Sequence, residues 1–323
     1  MRNIAKAGFA ALVLLLSLQV AAPCIAGPVQ DAEAAIAKGD YATALKLLRP
    51  VAEQGTPEAQ LMLAIMHGNG MGVPRSGIEA VKWSRKAAEQ GHANAQHYLG
   101  LIYKTGGHGD VPKNYLEAMA WFRKAADQGH TGALFDIGTM YDSGYGVTRD
   151  HAQAWKMYLR SAELGDPRSQ FFVALIYAEG DHPGVPRDYA AAARWYRKAA
   201  DQGDATAQFN LGTMYDQGRG VPQDNAQAVK WWRSAADSAH PTDPVMASAL
   251  YNLGVAYARG LGVPQDYVHA HMWFNLAAAV QQAPEHIPEF RAKAAKERDA
   301  VAASMSPAQI AEAQRLAREW KPK

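Results

Sequence analysis

Cysteine is almost missing from this chain: of 323 residues only Cys24 is one, and it falls in an apparent leader. Beyond that leader no disulfide framework, cysteine-ligated zinc or thiol nucleophile can exist. Charge of one sign is lacking too. With Arg2 and Lys6 set aside in the leader, 31 basic residues (33 less two) meet 31 acidic ones. A neutral chain without a basic stripe argues against nucleic acid as a partner, and disfavours a long membrane-binding face. The apolar run at residues 7–22 is about 16 residues long, short of the ~20 a spanning helix needs. Arg2 and Lys6 precede it and Cys24-Ile25-Ala26 ends in a small-x-small pattern. This is the layout of a secretory signal peptide, with cleavage expected after Ala26. A retained anchor is the competing reading, which the run's length disfavours. The mature chain, about 297 residues, is long enough to rely on burial for its stability and should carry no integral membrane span.

Chemistry-bearing motifs are also scarce. The eleven histidines are scattered; His269 and His271 are two apart, on different sides of a helix, and no H-x-x-x-H or Cys/His cluster exists. No metal site, cofactor site or catalytic residue is expected. The Gly-x-Gly segments follow helical patterns, lack Lys-Ser/Thr and recur down the chain, so they read as turns and not phosphate cradles.

What is present is one sentence written six times, in units beginning near Thr56, His92, His130, Asp166, Asp204 and His240. Each opens with a helix carrying small and apolar residues four apart, as in Ala207, Leu211 and Tyr215, which form one buried stripe. Ala64, Gly100, Gly138, Ala174, Gly212 or Gly254 sits mid-helix. Glycine there costs about 1 kcal/mol of propensity, so it implies close approach of another helix. A loop such as Gly218-Arg219-Gly220-Val221-Pro222 follows, and Asp150, Asp188, Asp224 and Asp266 stand where they can cap a second helix. The loops of units two and four hold two extra residues each. The second helix bears Trp83, Trp121, Trp195, Trp231 or Trp273, with Met157 in unit three; recurring at the repeat period, these indoles are expected to wedge between helices. A period of this size marks stacked modules too small to bury a core alone.

Ala207-x-x-x-Leu211-Gly212, Tyr215, Gly218-x-Gly220-Val221, Asp224, Ala228 and Trp231, with their equivalents across residues 56–279, closely resemble the Sel1-like repeat, a relative of the tetratricopeptide repeat. The resemblance implies an all-α right-handed solenoid of helix hairpins. Residues 27–55 read as an N-terminal capping pair with a kink at Pro50, and residues 280–323 as C-terminal capping helices, with Ser306-Pro307 starting the last.

Measured from the mid-helix small residue, positions −2, +1 and +5 of the first helix point away from the packing stripe and differ between units. They include Tyr98 and Leu101, Asp136 and Thr139, Phe172 and Leu175, Asn210 and Thr213, and Asn252 and Arg259. These are the candidate protein-binding groove residues, Tyr98, Phe172 and Leu175 suggesting an apolar groove for another protein or an extended peptide. Ordinary solvated or partly packed positions are the bland alternative. The resemblance implies a non-enzymatic periplasmic or secreted scaffold, similar exported proteins being adaptors, regulators of sensor proteins or assembly factors for envelope complexes. A cell-wall-related or β-lactam-binding hydrolase is the alternative, weakened because that branch staples each helix pair with a disulfide. A structural part of a secretion or export machine is the third.

Overall fold

The computed structural model describes residues 27–240, 243–280 and 287–322. The signal peptide expected at residues 1–26 lies outside them. Among the described residues there are sixteen α-helices, one 3-10 turn and no strand. None of the helices is long and apolar enough to cross a membrane. The chain divides into two compact units, with the boundary after Gln90.

The first unit holds α1 (Pro28–Ala37), α2 (Tyr41–Glu53), α3 (Pro57–Asn69) and α4 (Gly77–Glu89), each packed on the next. Ala44, Leu48, Ala52, Ala59, Leu63 and Met66 form its core. The Asp40 carboxylate accepts from the Thr43 amide at 3.1 Å, so α2 begins at Tyr41. It runs on through Pro50 to Glu53.

The second unit continues as hairpins: α5 (Ala93–Thr105) with α6 (Tyr115–Asp127), α7 (Thr131–Ser143) with α8 (His151–Glu163), α9 (Pro167–Glu179) with α10 (Tyr189–Asp201), α11 (Ala205–Gln217) with α12 (Asn225–Ser238), and α13 (Pro244–Arg259) with α14 (Tyr267–Ala279). Then α15 (Ile287–Ala302) and α16 (Pro307–Glu319) pack on α14. Trp320 meets the edge of Trp273 at 5.7 Å, and Ser306 opens α16 with a reciprocal capping box to Gln309.

The caps follow the repeated letters. Asp150, Asp188, Asp224 and Asp266 accept from backbone amides in the first turns of α8, α10, α12 and α14. Ser76 and Asn114 do the same where aspartate is missing. First helices are capped as well: the Nδ1 atoms of His92 and His130 accept from Ala95 and Ala133, and Asp166 and Asp204 take the same place in later units.

The wedge role falls one residue later than the tryptophan positions. Phe122, Tyr158, Tyr196, Trp232 and Phe274 are buried. A Cβ on Gly100 would stand 2.6 Å from the Phe122 ring, and those on Gly138, Gly212 and Gly254 would press on Tyr158, Trp232 and Phe274. One step of about 100° turns this position toward the first helix and the tryptophan toward the rim. Trp83, Trp195 and Trp231 are accordingly only half-buried, although Trp121 and Trp273 are buried. Lys86, Lys124 and Lys198 lie over the rings of Trp83, Trp121 and Trp195 at 4.0–4.4 Å.

A glutamine strap joins hairpins. Gln170 donates to the Ala162 carbonyl of the preceding second helix at 3.1 Å and accepts from Gln202, at the end of its own hairpin, at 2.8 Å. Gln60 repeats this with Ala52 and Gln90, and Gln96 accepts from Gln128. In the third repeat Leu134 and Leu164 replace both members. Gln208 donates to Ala200, but Ser238 stands where its partner glutamine belongs, and the Gln208 Oε1 atom is buried with no partner.

Three loops of the second unit close on the preceding hairpin. A Cβ on Gly220, whose φ is +71°, would collide with the Tyr189 carbonyl at the first residue of α10. Gly146 lies in the same way on Tyr115, and Gly262 on Asn225. Here glycine is required both by φ and by contact.

Candidate functional site

Successive first helices lie side by side within the second unit, and their non-shared residues bond to each other. Asp136 on α7 accepts from Lys104 Nζ on α5 at 2.8 Å through Oδ1, while its Oδ2 lies 2.8 Å from His97 Nε2. Lys104 also donates to Thr139 Oγ1 at 3.0 Å. The His130 ring packs on His97 with centroids 4.4 Å apart. Burial alone would raise the Asp136 carboxyl; the His97 hydrogen bond and the Lys104 ammonium outweigh it and hold the group well below the usual carboxylate range. Burial, reinforced by His97, pushes His130 down to about 4. That agrees with its Nδ1 serving as a helix cap, which requires the unprotonated atom.

The groove residues expected from sequence separate by position. Tyr98 is 1% exposed and belongs to the core, which corrects the expectation that it lines an open groove. Asp136 is buried as well, at 7% exposure. In these two units position −2 turns inward, and over Asp136 the neighbouring first helix brings His97. Phe172 is half-buried in an aromatic cluster, 5.4 Å from Phe135 and 4.8 Å from Tyr158. Asn210 reaches the Tyr196 hydroxyl; Asn252 is half-buried. Leu101, Thr139, Leu175 and Thr213, all at position +1, are half-buried, and Thr213 Oγ1 lies 3.4 Å from the Trp232 indole nitrogen. Arg259 is exposed, as are Thr105, Ser143, Glu179 and Gln217 at the same +5 position. The positions that stay accessible in all these units are therefore +1 and +5, joined by Lys104, with −2 accessible in part in the last three.

Sequence reading missed His97, Lys104 and His130. The available signal was variation at position +4, where Lys104, Asp142, Ala178, Asp216 and Ala258 differ from unit to unit. It also missed a second cluster at the loop end of repeats three and four, where Asp142, His151 and His182 bring one ligand atom each to within 4.8 Å of one another. A shallow cavity of about 280 Å³ lies elsewhere, lined by Arg233, Trp273, Leu316 and Trp320 among others. The His97–Asp136 pair resembles an acid–base dyad, but side-chain exposures of 6% and 10% leave it enclosed.

Comparison with curated proteins finds no significant match. Among solved structures, the chain is similar to c5321, a protective antigen of uropathogenic Escherichia coli strains displaying an SLR fold. The two are 32% identical with a TM-score of 0.65, over 87% of this chain and 56% of that one. This chain thus spans little more than half of that relative's length. It is also similar to a Sel1 repeat protein from Oxalobacter formigenes, 33% identical with a TM-score of 0.63, over 78% of this chain and all of the other. The profile described as Sel1 repeat matches residues 57–92, 93–130, 131–166, 167–204, 205–240 and 247–279, two thirds of the sequence, and so the chain belongs to the Sel1 repeat family.

Proposed function

We propose that the mature chain is an exported bacterial protein–protein interaction scaffold, presenting the +1 and +5 positions of its first helices to a protein partner or an extended segment of one. The leader-like start of the sequence supports export, to the periplasm or beyond. One observation carries the binding reading. The shared letters are consumed by the glycine–aromatic contacts, caps and glutamine straps, while the unshared residues Lys104, Asp136 and Thr139 lock adjacent first helices into one preorganised face. A face already ordered loses less side-chain freedom when a partner docks. The enclosed His97–Asp136 pair favours a structural ion cluster over an open acid–base site, so the scaffold is read as non-enzymatic.

The test places a photo-crosslinking residue at Thr139, at Thr213, or at Lys230 on a second helix, in cells making the full precursor. Capture of one and the same protein from Thr139 and Thr213 but not from Lys230 is the expected result. Equal capture from all three positions, or none, contradicts the face assignment. Turnover of a β-lactam or a cell-wall glycan by the purified mature chain, abolished by Asp136→Asn, would overturn the scaffold reading in favour of a hydrolase.

A further inference from the structure

The loop of repeat four departs from its neighbours in length, contact and chemistry together. At three other junctions of the second unit a loop glycine closes directly on the first residue of the preceding second helix: Gly146 on Tyr115, Gly220 on Tyr189, Gly262 on Asn225. At repeat four the corresponding first residue is His151, and Gly184 has nothing within 4 Å of its would-be side chain. The two extra residues of this loop hold its backbone away, and the ring of His182 comes to His151, edge to face with centroids 5.7 Å apart. Asp142, in the last turn of α7, completes the group: its Oδ1 is 2.9 Å from His151 Nδ1 and 3.4 Å from His182 Nε2.

We propose that Asp142, His151 and His182 bind a divalent first-row transition-metal ion of zinc's class. Two imidazoles and one carboxylate are a donor set for zinc, cobalt, nickel or ferrous iron, not for calcium or magnesium, which take oxygen. The spacing fits. Donors about 2.1 Å from a tetrahedral ion stand roughly 3.4 Å from one another, close to the two carboxylate–imidazole separations here.

An independent observation points the same way. The His182 side chain is only 8% exposed, and neither of its ring nitrogens has a hydrogen-bond partner. Buried imidazoles in folded proteins are normally satisfied, yet Nε2 of this one lies 3.4 Å from the shared carboxylate oxygen without bonding to it. The other carboxylate oxygen, Oδ2, accepts from the Tyr158 hydroxyl at 2.9 Å, the kind of outer contact that orients a metal-bound carboxylate. Tyr158 is the ring that covers Gly138, so the repeat core fixes the cluster's position. Three protein ligands leave a fourth coordination position, and the partial exposure of Asp142 and His151 places it toward solvent.

Isothermal titration of the full mature chain, stripped with chelator, with zinc chloride tests this. A parallel cobalt titration is read by visible absorption. One ion per chain and the intense spectrum of tetrahedral cobalt are expected. Binding should weaken at least tenfold in His182→Ala and in Asp142→Asn, and stay unchanged in His240→Ala. Deleting Asp181 and His182 restores the loop length of repeat five, and this variant should keep its helical circular dichroism while losing the ion. Absence of binding by the unaltered chain, or binding that survives both the deletion and Asp142→Asn, overturns the assignment.

Discussion

The indole of Trp232 occupies the space a methyl on Gly212 would need, its Cδ1 standing 2.8 Å from that point. Helix propensity favours Gly212→Ala by about 1 kcal/mol, while overpacking costs roughly 1–3 kcal/mol. A net loss of stability is expected, read as a lower urea midpoint. The first repeat carries the alternative without a ring, Ala64 with Ser84, both fully buried. Combining Gly212→Ala with Trp232→Ser should therefore cost less than the two changes summed. Strict additivity would show that glycine and ring do not meet.

Adjacent aromatic residues on α10 should differ sharply. Tyr196 is 3% exposed, whereas Trp195 is half-buried at the rim beneath Lys198. Tyr196→Ala should cost about 3–5 kcal/mol as a core truncation, and Trp195→Ala clearly less, about 1–2 kcal/mol at roughly half that burial. Chemical denaturation of the two variants side by side checks the order, and the reverse order would restore the tryptophans as wedges.

The contrast shows what the sequence made legible. Repeat number, helix pairing and the aspartate caps were readable because each is carried by one letter at a fixed spacing. The inward ring was not. Trp231-Trp232 and Trp195-Tyr196 are paired aromatics, and only the helical phase relative to the neighbouring glycine decides which of the two enters. Tyr98 was misplaced for a related reason: a helical wheel shows which side faces away from its own hairpin, not whether that side is buried. Asp142, His151 and His182 were invisible because residues 9 and 31 apart meet only through the stacking of two repeats.

Ser238→Gln should stabilise the fifth repeat. Gln208 Oε1 is buried without a partner where Gln170 has Gln202, and an unsatisfied buried acceptor costs roughly 1–3 kcal/mol. A gain near 1 kcal/mol, seen as a melting temperature raised by a few degrees, is expected. An unchanged melting temperature would mean that the end of α12 cannot present the new amide.

Stability should fall on mild acidification, with His130 as one source. Its folded value is pushed down to about 4 from the ordinary 6.5, by burial first and then by His97, with Asp136 and Asp166 opposing. In that window the unfolded chain takes up a proton that the folded chain refuses, so this contribution is present above pH 6.5 and is lost as pH falls toward 4. His130→Asn keeps a capping side chain that cannot titrate. Thermal melts should show a shallower decline between pH 6.5 and 4 for this variant. Parallel declines would assign the sensitivity to other groups.

Because Gly146, Gly220 and Gly262 each rest on the hairpin before them, such modules are not interchangeable in either direction: the earlier one carries the seat for its successor. Excising residues 167–204 would bring Gly220 against His151, an ordinary junction with the imidazole of the fourth loop gone. A shortened chain of that kind would keep its architecture while erasing one local chemistry, which makes loop length, more than helix sequence, the means by which such an array acquires or discards a specialised joint.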